Sequence, residues 1–196
     1  MEWTPELILI ALVTAGFVAG FVDSIAGGGG LITIPALLLS GMPPIMALGT
    51  NKLQSLFGSG SATWAYASRG HVDLKSQGPT FFISAAFSAL GAWVATQVSS
   101  DWLRAFLPIL MIAIGLYFLL KPDISDESRA ARFAPAIFAA TAVPAIGFYD
   151  GIFGPGTGSF FMLAFVMLAG YGLLKATAHT KTLNFASNIG AFAIFA

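Results

Sequence analysis

Cysteine does not occur anywhere in this chain of 196 residues. Disulfides, thiolate metal sites and cysteine nucleophiles are therefore excluded together, and the redox compartment cannot be read from the composition. Histidine occurs twice, as His71 and His179, too few for most metal cages, so neither a metal nor a cofactor is expected. Charge is scarce as well. Asp, Glu, Lys and Arg make up 9% of the chain, nine basic residues balance nine acidic ones, and a soluble domain typically carries about 25%. No run of Lys and Arg marks a nucleic-acid face or a patch for docking on anionic lipid. A basic leader is missing too: Glu2 and Glu6 stand where a signal peptide would carry positive charge, and no A-x-A-like cleavage site follows, so the first apolar run is read as a retained span.

What is present is apolar. Hydrophobic residues make up 57% and the mean hydropathy is +0.83, which implies an all-α, polytopic protein with the lipid bilayer as solvent. A full crossing takes about 20 residues. Apolar runs of that order lie at residues 5–23, 45–67, 79–98, 102–120 and 133–150, and another opens near residue 176 and is still apolar at Ala196. Two runs, 31–40 and 159–170, are only half as long and read as half-helices or short tilted spans. Trp3 suits the headgroup level, and Thr4 followed by Pro5 suits a helix start.

A motif used twice organises these runs. GFVDSIAGGGGLITIP at residues 20–35 returns as GFYDGIFGPGTGSFFM at 147–162, with Gly20, Phe21, Asp23, Ile25, Gly27 and Gly29 matched by Gly147, Phe148, Asp150, Ile152, Gly154 and Gly156. Further on, ALGTNK at 47–52 is matched by ATAHTK at 176–181. Each copy holds an acid where an apolar helix meets a glycine cluster, then a lysine early in the next long run. This is the pattern of a helix broken inside a membrane. It divides the chain into a first repeat at 1–120, a polar connector at 121–132 and an incomplete second repeat at 133–196, and equal repeats would require about 50 further residues.

Lys52 lies about 12 Å along its helix from Pro44, near the depth of the bilayer centre. Burying a lysine there costs roughly 2.5 to 3.5 kcal/mol, so Lys52 and Lys181 either serve a function, snorkel to an interface, or pair structurally with the nearby acids. The glycines Gly27, Gly28, Gly29, Gly30, Gly154 and Gly156 either allow close helix packing or expose backbone N–H groups at half-helix N-termini, where a small anion can bind. With the two lysines, and with Asn51, Gln54 and Thr180 lining the path, they form the candidate substrate site. Asp23 and Asp150 would repel an anion if ionised, so they are expected to cap the half-helices or carry a proton, and His179 is a third candidate for coupling or gating.

These motifs resemble the sulfite exporter TauE/SafE (TSUP) family of membrane transporters: GFVDSIAGGGGLITIPALL with PPIMALGTNKLQSLFGSGSATWAYASRGHVDLK is similar to its first repeat, and GFYDGIFGPGTGSFF to its second. The resemblance implies transport, as an exporter working by alternating access in a bacterial-type inner membrane, of a small anion of the sulfite and organosulfur class. It implies no enzyme activity. Two other classes are weighed against it. An intramembrane aspartyl protease would use Asp23 and Asp150, but no G-x-G-D element occurs and the duplicated lysines have no place in that mechanism. A structural or receptor protein would make the polar residues of 45–67 simple helix glue.

Orientation follows from basic residues in short loops. Arg69, Lys75, Lys121, Arg129 and Arg132 place the connectors after residues 67 and 120 in the cytoplasm, and the acidic N-terminus outside. If the first three runs all cross, the repeats are inverted; if 31–40 is re-entrant, they are parallel.

Overall fold

A computed structural model of the protein describes residues 4–25, 27–120 and 130–196. Residues 121–129 of the expected connector, with Lys121 and Arg129, lie outside the described residues, as does Trp3. Among the described residues the secondary structure is helical: α1 (Pro5–Ile25), α2 (Gly30–Leu39), α3 (Pro44–Ser68), α4 (Gly78–Gln97), α5 (Ser100–Leu120), α6 (Pro135–Ile152), α7 (Thr157–Met167) and α8 (Leu173–Phe195). The protein is an all-α, multi-pass membrane protein.

Local sequence sets the helix limits. Prolines 5, 44 and 135 each open a helix, where the missing N–H is no loss. Thr4 adds a cap, its Oγ1 accepting the Leu7 amide at 3.4 Å. Gly41, Gly70 and Gly170, all at positive φ, follow α2, α3 and α7, where a left-handed residue closes a helix. Helix α2, with 10 residues, and α7, with 11, reach about 15 Å each, half the roughly 30 Å of a bilayer core. The apolar runs α1, α4, α5 and α6 are long and hydrophobic enough to cross a membrane. Helices α3 and α8 are as long but more polar, and they turn that polarity inward. Asn51, Lys52, Ser55, Ser59 and Thr63 of α3 are buried, as are Thr180, Lys181, Asn184, Ser187 and Asn188 of α8.

Contacts fix the helix directions. Gln54 of α3 donates to the Gly16 carbonyl of α1 at 3.3 Å, and Gly58, a turn further on, lies against Gly20 and Asp23, so α1 and α3 run parallel. Helix α2 runs against both: Gly29 at its start abuts Ala19 and Asp23, whereas Ala36 and Leu39 share a groove with Ile8 and Leu12. The order repeats in α6, α7 and α8. Phe138 of α6 meets Phe165 of α7 while Tyr149 meets Phe160, so α7 folds back along α6. Helices α6 and α8 both run parallel to α4, because Ser84 and Ser88 face Gly147 and Gly151 in turn, and Gln77 and Ala85 face His179 and Gly190.

The two triplets run in opposite senses. Gly60 of α3 packs on Phe185 of α8, and Gly49 on Phe195, which makes this central pair antiparallel. The start of α1 and the end of α3 therefore lie at opposite faces. Residues 69–77, which join α3 to α4, lie at the same end of the bundle as the start of α6. Ser99 and Thr4 lie at the other end.

Candidate functional site

Both glycine breaks end up in the interior, side by side. At Gly27, φ is +79° and an added Cβ would sit 2.8 Å from the Gly158 Cα, so only glycine allows the starts of α2 and α7 to touch. Ser159 Oγ ties them by donating to the Gly27 carbonyl at 3.2 Å. Around this contact is a small cavity, lined by Gly28 and Gly30 from the first break, Gly154, Thr157 and Gly158 from the second, and Asn51, Ser55, Asn184 and Asn188 from α3 and α8. Asp23 and Asp150 complete the wall. Its volume of about 10 Å³ is room for about one water.

The two acids sit in matching places and do different things. Asp23 Oδ1 accepts the Gly28 and Gly29 amides at 3.0 and 2.7 Å, and Oδ2 accepts Ser55 Oγ at 2.9 Å. Both oxygens are satisfied, and the carboxylate covers the positive end of α2. In the second copy the residue matching Gly28 is Pro155, which has no N–H to offer. Helix α7 has no side-chain cap. Asp150 instead meets Lys52, with Oδ1 2.6 Å from Nζ and side-chain exposures of 2% and 1%. Its Oδ2 has no hydrogen-bond partner among the described residues.

The lysines differ in the same way. Lys181 Nζ donates to the main-chain carbonyl of Asp23 at 2.5 Å, one of the carbonyls that the break leaves without a helical partner at the end of α1. Each lysine thus serves the opposite triplet. Gly154, at φ +92°, gives Lys52 its space, since a Cβ there would lie 2.9 Å from Nζ.

The expected site residues fall into two groups. Gly28, Gly30, Asn51, Gly154, Asp23 and Asp150 line the cavity, with Gly27, Gly29 and Lys52 directly behind them. The structure does not bring the others there. Gln54 braces α1, α2 and α3, accepting Thr33 Oγ1 at 3.2 Å and donating to Gly16. Gly156 caps α7 and faces Ile114 of α5. Thr180 is buried but is not part of the wall. His179 contacts Gln77 and packs against Phe165 and Tyr171, so it belongs to the α4–α7–α8 packing; His71 sits in the exposed turn after α3, its ring edge on Tyr66. Thr157, Gly158 and Asn188 are wall residues that the motif comparison passes over. The signal for Asn188 was the same constant spacing that matches Lys52 to Lys181, for it sets Asn188 against Ser59, and the two meet at 3.4 Å.

Neither aspartate is placed for acid catalysis by a carboxylate pair, which requires two carboxyls sharing one proton. One is held by amides and the other by an ammonium group. The expected helix breaks are instead hairpins, since α2 and α7 fold back along α1 and α6; a polar site between two such half-length helices, inside an apolar multi-pass bundle, is the architecture of a membrane transporter. Residues 12–196 match the family model described as sulfite exporter TauE/SafE, and the chain belongs to that family.

Relatives are named as transporters too. The chain is 64% identical over 188 residues to a probable membrane transporter protein, ORF9, of a Sinorhizobium species, covering 96% of this chain and 72% of the relative. It is 49% identical over 190 residues to a probable membrane transporter protein of Haemophilus influenzae, with 96% and 74% covered. With the probable membrane transporter protein YfcA of Escherichia coli K12 the identity is 51% over 189 residues, with 96% and 70% covered. No solved structure gives a significant match.

Proposed function

We propose that the protein carries a small oxyanion of sulfur, sulfite or an organosulfonate, across the membrane by alternating access around the cavity between α2 and α7. The observation that carries this reading is the meeting of two half-helix N-termini at Gly27 and Gly158, beside a buried lysine and the amides of Asn51 and Asn184. Backbone N–H dipoles, amide donors and one fixed positive charge are the groups a desolvated oxyanion requires. In this reading residues 1–120 and 133–196 are inverted repeats that rock against each other, and 121–132 is the connector. Gly30, Asn51, Lys52, Gly154, Asn184 and Asn188 bind the anion, while Gly27, Gly28 and Gly29, whose N–H groups are taken by the Val22 carbonyl and the Asp23 carboxylate, shape the wall beside it.

Arg69, Lys75, Arg132 and Lys175 share one end of the bundle, which is placed in the cytoplasm by the excess of basic residues. The test is flux of labelled sulfite, sulfoacetate and thiosulfate in proteoliposomes containing the full-length protein. Saturable flux of at least one of them is expected. Folded protein that moves none of the three would overturn the reading.

A further inference from the structure

The geometry points to Asp150 as the site of proton coupling: its carboxylate holds Lys52 in place of the transported anion and takes up one proton when an anion replaces it, so that one proton travels with each anion. This inference rests on the proposed anion transport and adds the coupling ion and the residue that carries it. Asp23, by sequence its equal, is assigned the cap of α2 and no part in coupling.

Three observations support the assignment. The first is the proline. Gly28 and Gly29 saturate Asp23 with main-chain N–H groups, whereas Pro155 removes the equivalent donor from Asp150. The second is the partner. Asp150 is bound through one oxygen to a lysine that has no other acceptor among the described residues, and the second oxygen is buried with none. The third is the cavity. Asp150 lies on its wall, Lys52 pairs with that wall carboxylate, and the space of about 10 Å³ left beside it has room for about one water, so an oxyanion reaches Lys52 only when the carboxylate moves aside.

The consequence follows from charge. Lys52 neutralises one anion; if the transported anion takes it, an ionised Asp150 is left buried, unpaired and beside a second negative charge, which the low-dielectric interior penalises heavily. Adding a proton turns the carboxylate into a neutral carboxylic acid. The lysine keeps its charge throughout and changes partner, so the proton is the only extra species. The charged and titratable groups around Asp150 are few. Helices α4 and α7 carry none. Helix α3 supplies Lys52, α1 supplies Asp23, already committed to amides, and α8 supplies Lys181, committed to the Asp23 carbonyl. Tyr149, its neighbour on α6, donates its hydroxyl to the Pro155 carbonyl at 2.6 Å.

The experiment uses full-length protein in liposomes, with thiosulfate, sulfoacetate and sulfite as probes. Thiosulfate stays fully ionised near neutral pH, so a proton moved with it is bound by the protein. With the membrane potential clamped at zero, a gradient of one pH unit should hold about a tenfold gradient of a one-to-one coupled anion. Asp150→Asn should abolish that dependence, and Asp23→Asn, which keeps an oxygen acceptor for Gly28 and Gly29, should preserve it. Because Asp150→Asn leaves Lys52 buried without its partner, two further measurements do not depend on that variant. Pro155→Gly restores the missing N–H and should weaken the coupling by drawing Asp150 toward the cap. In the wild type, infrared difference spectra on adding anion should show the band of a protonated carboxyl, retained in Asp23→Asn. Anion flux with no pH-gradient dependence and no such band would overturn the proposal and leave anion transport standing. The absence of both flux and binding for all three anions would overturn both.

Discussion

Replacing Gly151 by alanine tests the helix contact that holds Asp150 in place. Helices α4 and α6 touch through backbone: an added Cβ at Gly151 would lie 2.0 Å from the Ser88 carbonyl oxygen and 2.7 Å from the Ala92 nitrogen. Carbon and oxygen pack best at roughly 3.5 Å, so the helices would have to separate by about 1 Å or more. The obstructing atoms are main chain and cannot rotate away as a side chain would. Overpacking of this kind costs about 1 to 3 kcal/mol, and the rigid partner places Gly151→Ala at the upper end, near 3 kcal/mol. Gly16 and Gly115 supply the control, since a Cβ at either meets nothing within 4 Å. Alanine there should be neutral or should stabilise by up to about 1 kcal/mol, from helix propensity alone. The measurement is an SDS titration of purified protein in mixed micelles, followed by tryptophan fluorescence, with the three variants side by side. A Gly151→Ala variant within about 0.5 kcal/mol of wild type would refute the contact.

Two further outcomes follow from other parts of the molecule. Lys52→Met should destabilise the protein by about 3 to 5 kcal/mol by stranding Asp150, and adding Asp150→Asn should recover most of the loss; a double variant as unstable as the single one in the same titration would show that the pair is not the cause. The chain has no cysteine of its own, so single cysteines at His71, Ser99 and Thr4 report topology without background. Impermeant maleimide should reach His71→Cys from the cytoplasm and the other two from outside. Labelling of Thr4→Cys and His71→Cys from the same side would exclude the parallel packing of α1 and α3.

Much of this arrangement was legible in the residues because a membrane restricts what a chain can do. Apolar runs had to be helices, since nothing in the bilayer satisfies an open backbone, and the two half-length runs became the short helices α2 and α7, the second ending at Met167, three residues short of the run read from the sequence. The duplicated motif named Asp23, Asp150, Lys52 and Lys181 before any contact was known. A lysine at that depth needs a partner, and burial of both lysines follows from the same cost.

The sequence could not say which partner each group takes. The motif makes the two acids equivalents, and within either copy the nearest lysine is the natural choice; the fold instead crosses the pairs, Lys52 to Asp150 and Lys181 to the Asp23 carbonyl. That choice depends on α3 and α8 packing antiparallel, which reading along the chain does not reveal. Gln54 and His179 show the same limit: their spacing matches that of site residues, yet helix rotation turns one toward α1 and the other toward Gln77. Even Pro155 is informative only in three dimensions. Its missing N–H is plain in the sequence, but whether that frees a carboxylate or merely shortens a turn depends on the ammonium group that a distant helix brings within 2.6 Å.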